Sequence, residues 1–538
     1  MDERTESKTR LLDEVAARAA GADGDDAEAM PEFVRQYFAL VAPDDLLDRD
    51  AESLLGTACS HWQLLADRPP GTARVRVFNP APDTDGWQSA HTVVQVVTDD
   101  MPFVVDSLSV ELSRVGRGIH LMIHPTVAVR RTLDGRLVEL LATDAVADDA
   151  VVESLVHVEI DRDPGLDRLE ELRRSLASVL EDVRAAVEDW PKMQARMLYL
   201  VDELGAEPPD VLDDVDETRE FLRWIADGHF TFLGYRDYDL VDEGGEDVLR
   251  PILGSGLGVL RDSGYQPQSI SFAKLPADVR RRARERTLLS LTKANSRSTV
   301  HRPAYLDFIG VKRFDEAGEP AGERRFLGLY THTVYAASPR DVPLVRRKVQ
   351  AVLDRAGLPP TSHLGKALGE VMESYPRDEL FQASVDQLYE TAMGVVHIQE
   401  RQRVRLFVRP DAFGRFVSCL VYLPRDRYTT AVRERMQALL TEAYGGSSID
   451  FFAALSESVL VRIHFVVYVD PGNLLAPDVA QLEAALADAT RSWDDSLRAA
   501  ICAQLGEGPG LELAERYVDA FPAAYAEDFA AATAVADL

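Results

Sequence analysis

The amino-acid sequence predicts an α+β fold in which several small modules with mainly antiparallel sheets are joined and flanked by helices. Two observations favour this class. Apolar runs typical of buried strands recur along the 538 residues, and amphipathic segments with apolar residues three or four positions apart alternate with them. Strand–helix–strand units of similar size therefore recur, which suggests one kind of module used several times.

The N-terminal segment, residues 1–70, is predicted to be helical and acidic. It contains 16 Asp and Glu residues against 7 Lys and Arg residues. Phe33, Tyr37 and Leu40 recur at helical spacing, as expected for short helices that bury one face.

The first module is predicted over residues 71–192. The apolar run 91–98 (HTVVQVVT) is typical of a buried strand. Asp99 and Pro102 follow it, and an Asp cap with a Pro in the first turn indicates the start of a helix, here over 103–115.

The rest of this module has the order expected of a ferredoxin-like βαββαβ unit, except for its last strand. Strands are expected at 119–131 and 151–161, and a second helix opens after Asp163. No segment after that helix is identified as the final strand. Residues 73–80 (ARVRVFNP) are an alternative edge strand.

Two more modules of this kind are predicted, over 215–358 and 400–472. The second includes an amphipathic helix at 342–356 and the third a helix between two pairs of strands. Connecting helices are expected at 359–399, and residues 473–538 return to helix. The strands of the second module are placed at 229–240, 306–315 and 324–337.

Composition narrows the partners and the compartment. A net charge of −31 disfavours nucleic acid and anionic membranes, whose binding depends on neutralising phosphates. The odd number of cysteines, three, and the absence of a CxxC pair argue for a reducing compartment. The N-terminus lacks an apolar signal region, and no apolar run approaches the roughly 20 residues of a membrane span. We expect a cytoplasmic protein.

Two motifs invite a chemical interpretation that their contexts oppose. GSGLG at 254–258 is followed by a strand or turn, whereas a dinucleotide fingerprint opens a helix, so a turn with positive φ is favoured. His120 and His124 lie on a predicted strand, where four residues separate them by roughly 13 Å, too far for one metal ion. We therefore assign no catalytic, cofactor-binding or metal site.

Two polar segments remain as candidate sites. The basic segment 293–305 offers Arg guanidinium groups, hydroxyls and amides suited to a carboxylate or phosphate ligand or to an inter-subunit anion, although a solvated loop that pairs with acidic neighbours is the favoured interpretation. The turn with Asp99, Asp100 and Pro102 could present helix N-terminal amides to a carboxylate, or serve only as a cap. The candidates in the basic segment are Lys293, Asn295, Ser296, Arg297, Ser298, His301 and Arg302.

Long stretches of the chain, over about residues 30–538, resemble the N-terminal region of the large bacterial NAD-specific glutamate dehydrogenases. The resemblance implies ACT-type modules, which pair with one another and bind amino acids near the first strand–helix turn, here Asp99, Asp100 and Pro102. The stretches include DDMPFVVDSLSVEL, FLRWIADGHFTFLGYRDYDL, LTKANSRSTVHRPAYLDFIGVKRF, ERRFLGLYTHTVYAAS and RLFVRPDAFGRFVSCLVYLPRDRY.

By the same resemblance, the intact enzyme oxidises L-glutamate to 2-oxoglutarate and ammonia with NAD, as a large homo-oligomer. Its catalytic part would follow residues 473–538, so this chain reads as a regulatory and oligomerisation region that is inactive alone and holds no cofactor. Its partners would then be its own catalytic region, other subunits and an amino-acid effector. A stand-alone ACT sensor that binds a separate protein is the alternative.

Overall fold

The structure is a computed structural model that describes residues 3–21, 28–142, 149–211, 214–245, 247–261, 270–271, 284–398, 401, 403–454, 459–470 and 473–538. Among these residues, the model has no helix that is both long and apolar enough to cross a membrane.

In the part of the chain up to residue 211, the described residues form seven helices and a six-stranded sheet. The helices are α1 Glu3–Ala20, α2 Met30–Phe38, α3 Pro43–Leu47, α4 Ala51–Leu65, α5 Pro82–Asp85, α6 Val104–Arg114 and α7 Leu166–Ala206. The strands are β1 Arg74–Phe78, β2 Thr92–Asp99, β3 Ile119–Ile123, β4 Thr126–Arg131, β5 Leu137–Leu140 and β6 Val151–Ile160.

In this first sheet all strands pair antiparallel, in the order β1-β2-β6-β4-β5, with β3 also on β6. Strand β1 lies beside β2, where a ferredoxin-like sheet would have its last strand. The alternative that residues 73–80 supply an edge strand is therefore confirmed. The next strand after α7 is not available to this sheet, because it pairs in another one.

Helices cover both faces of the first sheet. Helices α1 to α4 pack on one face, through residues such as Phe33, Leu54 and Leu155. Helices α6 and α7 pack on the other, through residues such as Leu108 and Val158. In the described residues of the predicted helical segment 1–70, helices α1 to α4 thus form one layer of this module.

Helix α7 links the first sheet to the middle one. It has 41 residues and spans roughly 60 Å at 1.5 Å per residue. We predicted that the first module ends at residue 192, but the helix continues to Ala206. Its second half buries Met193, Met197 and Leu200 in the core of the middle sheet.

The middle sheet has seven strands in the order β10-β8-β7-β13-β12-β11, with β9 on β7. Every pairing is antiparallel. Helix α8, Val215–Trp224, precedes it, followed by a π-helical turn at Ile225–His229. The strands are β7 Phe230–Asp242, β8 Asp247–Pro251, β9 Leu257–Gly258, β10 Ile270–Ser271, β11 Leu289–Arg297, β12 Tyr305–Phe314 and β13 Pro320–Tyr330.

Our prediction of a ferredoxin-like unit over 215–358 is wrong in topology. Strands β11, β12 and β13 follow one another as hairpins, whereas a βαββαβ unit has a helix between its first two strands. Alternation and strand length are the same in both arrangements, so the strands were placed but not their order. The strand predicted at 324–337 also ends early, at Tyr330, and a short helix follows.

Five helices follow, and the predicted helix at 342–356 is the second of them. They are α9 His332–Ala336, α10 Val345–Ala356, α11 His363–Ser374, α12 Arg377–Gln382 and α13 Val385–Val396. They share a core with the middle sheet and with one face of the third sheet, through residues such as Val349, Leu388 and Leu420.

The third sheet has four antiparallel strands in the order β14-β15-β17-β16. Helix α14 connects β15 to β16, and α15 follows β17 and packs in the same core through Leu482 and Leu486. The elements are β14 Arg405–Pro410, β15 Phe416–Pro424, α14 Thr430–Tyr444, β16 Ser448–Ala454, β17 Leu460–Tyr468 and α15 Val479–Ala489.

The first and third sheets share one topology. In the first sheet, β2 precedes α6 and lies between the earlier strand β1 and the later strand β6. In the third sheet, β15 precedes α14 and lies between the earlier strand β14 and the later strand β17. Strand β14 thus corresponds to β1, β15 to β2 and β17 to β6. This repeat is not visible in the sequence.

A small helical unit ends the chain. Its members bury Leu497, Ile501 and Ala514 in a core of their own. They are α16 Trp493–Leu505, α17 Glu507–Tyr517, α18 Ala523–Asp528 and α19 Ala531–Asp537.

Candidate functional site

The strand–helix turn of the first module is held by buried charges. The Asp99 carboxylate accepts hydrogen bonds from Arg68 at 2.7 Å and from Arg184 at 2.5 Å. Burial alone would raise the pKa of Asp99, but the Arg184 hydrogen bond and the two guanidinium charges outweigh it and lower the pKa. Asp99 is therefore already occupied by partners in its own chain, whereas Asp100 and Pro102 are exposed.

The predicted Asp cap of helix α6 is wrong. The helix begins at Val104 with Phe103 as its N-cap residue, and no side chain caps it. Phe103 has a φ of 73°, the left-handed region that non-glycine residues rarely occupy. The Asp99 side chain is directed to Arg68 and Arg184 instead.

The cations of the basic segment each have a partner. Lys293 is buried and lies 2.5 Å from Asp307 and 3.3 Å from Asp378. Burial would lower the pKa of Lys293, but the two carboxylates outweigh it and raise the pKa well above its ordinary value. This cluster ties β11 and β12 to α12 and is occupied without any added anion.

The two arginines that were candidates for anion binding are also engaged. Arg297 donates to Asp450 at 2.6 Å, and Arg302 donates to the Tyr330 carbonyl at 2.7 Å. Ser298 is buried and donates to the Val300 carbonyl. The pairing of Arg297 with a carboxylate agrees with the interpretation of a loop that pairs with acidic neighbours.

The structure brings the two predicted regions together at His301. The His301 backbone N–H donates to Ser107 Oγ at 2.9 Å, within the first turn of α6. Its ring lies 4.9 Å from that of Phe103, and its Nδ1 lies 3.2 Å from Asp106. The start of α6 in the first module and the turn between β11 and β12 therefore form one contact.

Asn295 and Ser296 lie elsewhere, on the wall of a cavity of about 1000 Å³. The cavity lies between the middle sheet, helices α10, α12 and α13, and the turn after β14. Its basic side chains already bind carboxylates, hydroxyls or carbonyls of the chain. They are Lys312, Arg325, Arg347, Lys348, Arg409 and Arg415.

Lys348 has an unusual environment in this wall. Its ammonium group donates to the carbonyls of Leu380, Phe381 and Ala383, at 3.1, 2.7 and 2.9 Å, and so caps the end of α12. Burial and, to a smaller extent, the charge of Arg409 lower its pKa to about 8. All three of its protons are used in this way.

A buried polar group that sequence reasoning missed lies in the first module. His61 Nε2 donates to the Val96 carbonyl at 3.1 Å, so Nδ1, at 2.9 Å from the Tyr37 hydroxyl, must accept from it. Burial lowers the pKa of His61 to about 3, and the charge of His157 adds to the effect. His61 is therefore held neutral, a structural role that no sequence motif marks.

The glycine-rich motif and the two histidines lie in ordinary structural environments. Gly254 and Gly258 have φ of 77° and 61°, which confirms a turn rather than a helix start at GSGLG. His120 pairs with Asp161 and His124 with Ser154, so each histidine has its own partner. Among the described residues, no group of three or more His, Cys, Asp or Glu side chains could hold a metal ion.

The shared topology points to one further turn that the sequence did not single out. In the third module, the turn equivalent to that of Asp99–Phe103 contains Arg425, Arg427 and Thr429. Thr429 caps α14 by accepting from the Val432 amide, and Arg427 pairs with Asp495 at 3.0 Å. Only the strand order shows that the two turns correspond.

Known protein families match four parts of the chain. Models of glutamate dehydrogenase domains match as follows: the ACT1 domain at 33–176, helical motif 1 at 342–401, the ACT2 domain at 405–494 and helical motif 2 at 500–538. The ACT1 match contains the first sheet, and the ACT2 match contains the third sheet with α15. The predicted α+β class with ACT domains is confirmed.

Three curated relatives match nearly the whole chain. The NAD-specific glutamate dehydrogenases of Halomonas elongata, Pseudomonas aeruginosa and Mycobacterium tuberculosis are 40%, 39% and 30% identical to it, over 536, 517 and 498 residues. These alignments cover 99%, 95% and 89% of this chain but 33%, 32% and 29% of the relatives. The chain thus spans about a third of their length, and by its ACT domains, helical motifs and overall similarity it is related to the NAD-specific glutamate dehydrogenases.

Proposed function

We propose that this chain is the regulatory and oligomerisation region of an NAD-dependent glutamate dehydrogenase. The observation that carries the proposal is the pair of ACT-domain modules with one strand order, within a chain similar to such enzymes along nearly its whole length. The reaction of the intact enzyme would convert L-glutamate, NAD and water to 2-oxoglutarate, ammonia and NADH. The catalytic part and NAD would belong to a region outside these 538 residues.

The internal contacts of the candidate residues support different roles for them. Asp100 and Pro102 are exposed at the strand–helix turn, which makes them the better candidates for an amino-acid effector. Arg297, His301 and Arg302 already bind groups of the chain, which favours an interface role. We propose that the protein is a homo-oligomer and that it lies in the cytoplasm. The three free cysteines support the cytoplasmic location, because disulfides are rare there.

A thermal-shift series with single amino acids tests the effector role. An amino acid at 100 times its Kd raises the free energy of unfolding by about 2.7 kcal/mol. We expect the shift to be lost in Asp100→Ala and kept in Asp134→Ala, which alters an exposed aspartate in another turn of the same module. No shift with any amino acid would overturn the effector role.

A stand-alone ACT sensor for a separate partner protein is the second candidate. The same two modules support it, since they would bind an amino acid in either setting. The native reading frame separates the two proposals. A stop codon directly after Leu538 favours the sensor, and a continuous frame into a dinucleotide-binding domain favours the dehydrogenase.

A further inference from the structure

The turn between β11 and β12, residues 297–305, contacts both ACT modules. We infer that this bridging turn couples the two ACT modules mechanically. A displacement at the start of α6, in the ACT1 module, would then reach strands β16 and β17 of the third sheet, in the second ACT module. Its meaning as a regulatory link rests on the proposed function, whereas the coupling itself is a property of this chain.

The tip of the bridging turn, residues 299–301, is anchored to helices α6 and α7. The His301 N–H donates to Ser107 Oγ at 2.9 Å. Thr299 Oγ1 donates to Asp182 of α7 at 2.8 Å, and Val300 is 1% exposed in the core that these helices share with the middle sheet. Three successive residues therefore fix the turn to the first module.

The backbone at this contact is in a rare conformation on both sides. Phe103 and His301 have φ of 73° and 72°, and their rings touch at 4.9 Å between centroids. Among the described residues only one other non-glycine residue has a positive φ. Such conformations persist where surrounding contacts impose them, and they concentrate at sites that switch. Here each of the two residues helps to hold the other.

The base of the bridging turn, Arg297 and Tyr305, is anchored to the edge strand β16 and its neighbour β17 in the third sheet. Arg297 donates to Asp450 of β16 at 2.6 Å, and its guanidinium group lies 4.5 Å from the ring of Tyr305. The Tyr305 ring stacks on Tyr468 of β17 at 3.5 Å. Its hydroxyl also lies 3.0 Å from Ser448 Oγ. The last residue of β11 and the first residue of β12 thus both contact the second ACT module.

Internal hydrogen bonds stiffen the turn between its two anchors. The Ser298 amide donates to the Ala304 carbonyl at 2.8 Å, and Arg297 Nη1 donates to the Pro303 carbonyl at 3.0 Å. Arg302 ties the turn to the end of β13 through the Tyr330 carbonyl. A short segment with this many internal bonds transmits a displacement rather than absorbing it.

Hydrogen–deuterium exchange on the 538-residue chain, without any ligand, tests the coupling. Arg297→Ala removes the ion pair of the anchor to the third sheet, and we expect amide exchange in the first turn of α6, residues 104–108, to rise about threefold or more. Ser107→Ala removes the hydrogen bond of the anchor to α6, and we expect a similar rise in β16. Arg297→Lys provides a milder version if the alanine variant does not fold.

Arg286→Ala is the matched control. Arg286 has the same side-chain exposure as Arg297, 41%, and pairs with Glu319 at the same 2.6 Å, at the other end of the same sheet. We expect it to change neither α6 nor β16. The coupling would be overturned if exchange in α6 stayed unchanged in the Arg297 variant and exchange in β16 stayed unchanged in the Ser107 variant. An absence of amino-acid binding would instead overturn the effector role within the proposed function and leave this result unaffected.

Discussion

Replacing Glu153 by Gln should be among the most damaging single changes in the first module. Glu153 is fully buried and accepts four charge-assisted hydrogen bonds, from Arg68 at 2.9 and 2.6 Å and from Arg131 at 2.6 Å twice. Glutamine removes the charge and leaves two buried guanidinium groups short of a counterion. Breaking a buried ion pair in this way costs about 3–5 kcal/mol.

Native-state hydrogen exchange measures this cost locally. The amides of β2 and β6 lie beside Glu153, and their opening free energy should fall by about 3–5 kcal/mol, a rise in exchange of roughly two to three and a half powers of ten. Glu170→Gln is the control, since Glu170 pairs with Arg173 on the surface, where an ion pair contributes little to stability. A loss below 1 kcal/mol for Glu153→Gln would refute the view that this cluster stabilises the module.

Other predictions follow from the glycine turn and from the buried histidine. Gly258→Ala should destabilise the middle sheet strongly, because an added Cβ at this φ of 61° would lie 2.1 Å from the Leu233 carbonyl oxygen. In Gly254→Ala the added Cβ meets no atom within 4 Å, so this variant should lose less stability. Urea unfolding of both variants measures the difference. Folding lowers the pKa of His61 to about 3, so between about pH 6.5 and 3 the unfolded chain binds more protons than the folded one. His61 therefore makes the free energy of unfolding fall as the pH falls through this range, by up to about 1.4 kcal/mol per pH unit. Urea midpoints measured across this range should show a shallower slope for His61→Gln, and an unchanged slope would contradict the buried, neutral state.

Much of the secondary structure could be predicted from the sequence, because periodicity reports which face of an element is buried. The helix over 103–115 and the strand over 91–98 are close to α6 and β2. Strand order is a different matter. The position of β1 beside β2, and the hairpins of the middle sheet, depend on contacts between segments distant in sequence, and the local pattern does not contain that information.

The candidate site could be predicted only in part, for an electrostatic reason. The sequence shows that 293–305 is basic, but it does not show the carboxylates that neutralise each cation. Asp450 lies 153 positions from Arg297, and Asp378 lies on another element from Lys293. The contact of His301 with Ser107, 194 positions away, is equally invisible in one sequence. Tertiary partners, rather than the segment itself, decide between an anion site and an interface.

The most direct test of the central claim is the absorbance of NADH when the purified 538-residue chain is mixed with L-glutamate and NAD. Because we propose that catalysis lies outside this chain, we expect no glutamate-dependent increase over a reaction without glutamate. The same chain must retain protected amides in β2 and β15, which shows that both modules are folded. A steady, glutamate-dependent formation of NADH by the folded chain would contradict the assignment of this region to regulation and assembly.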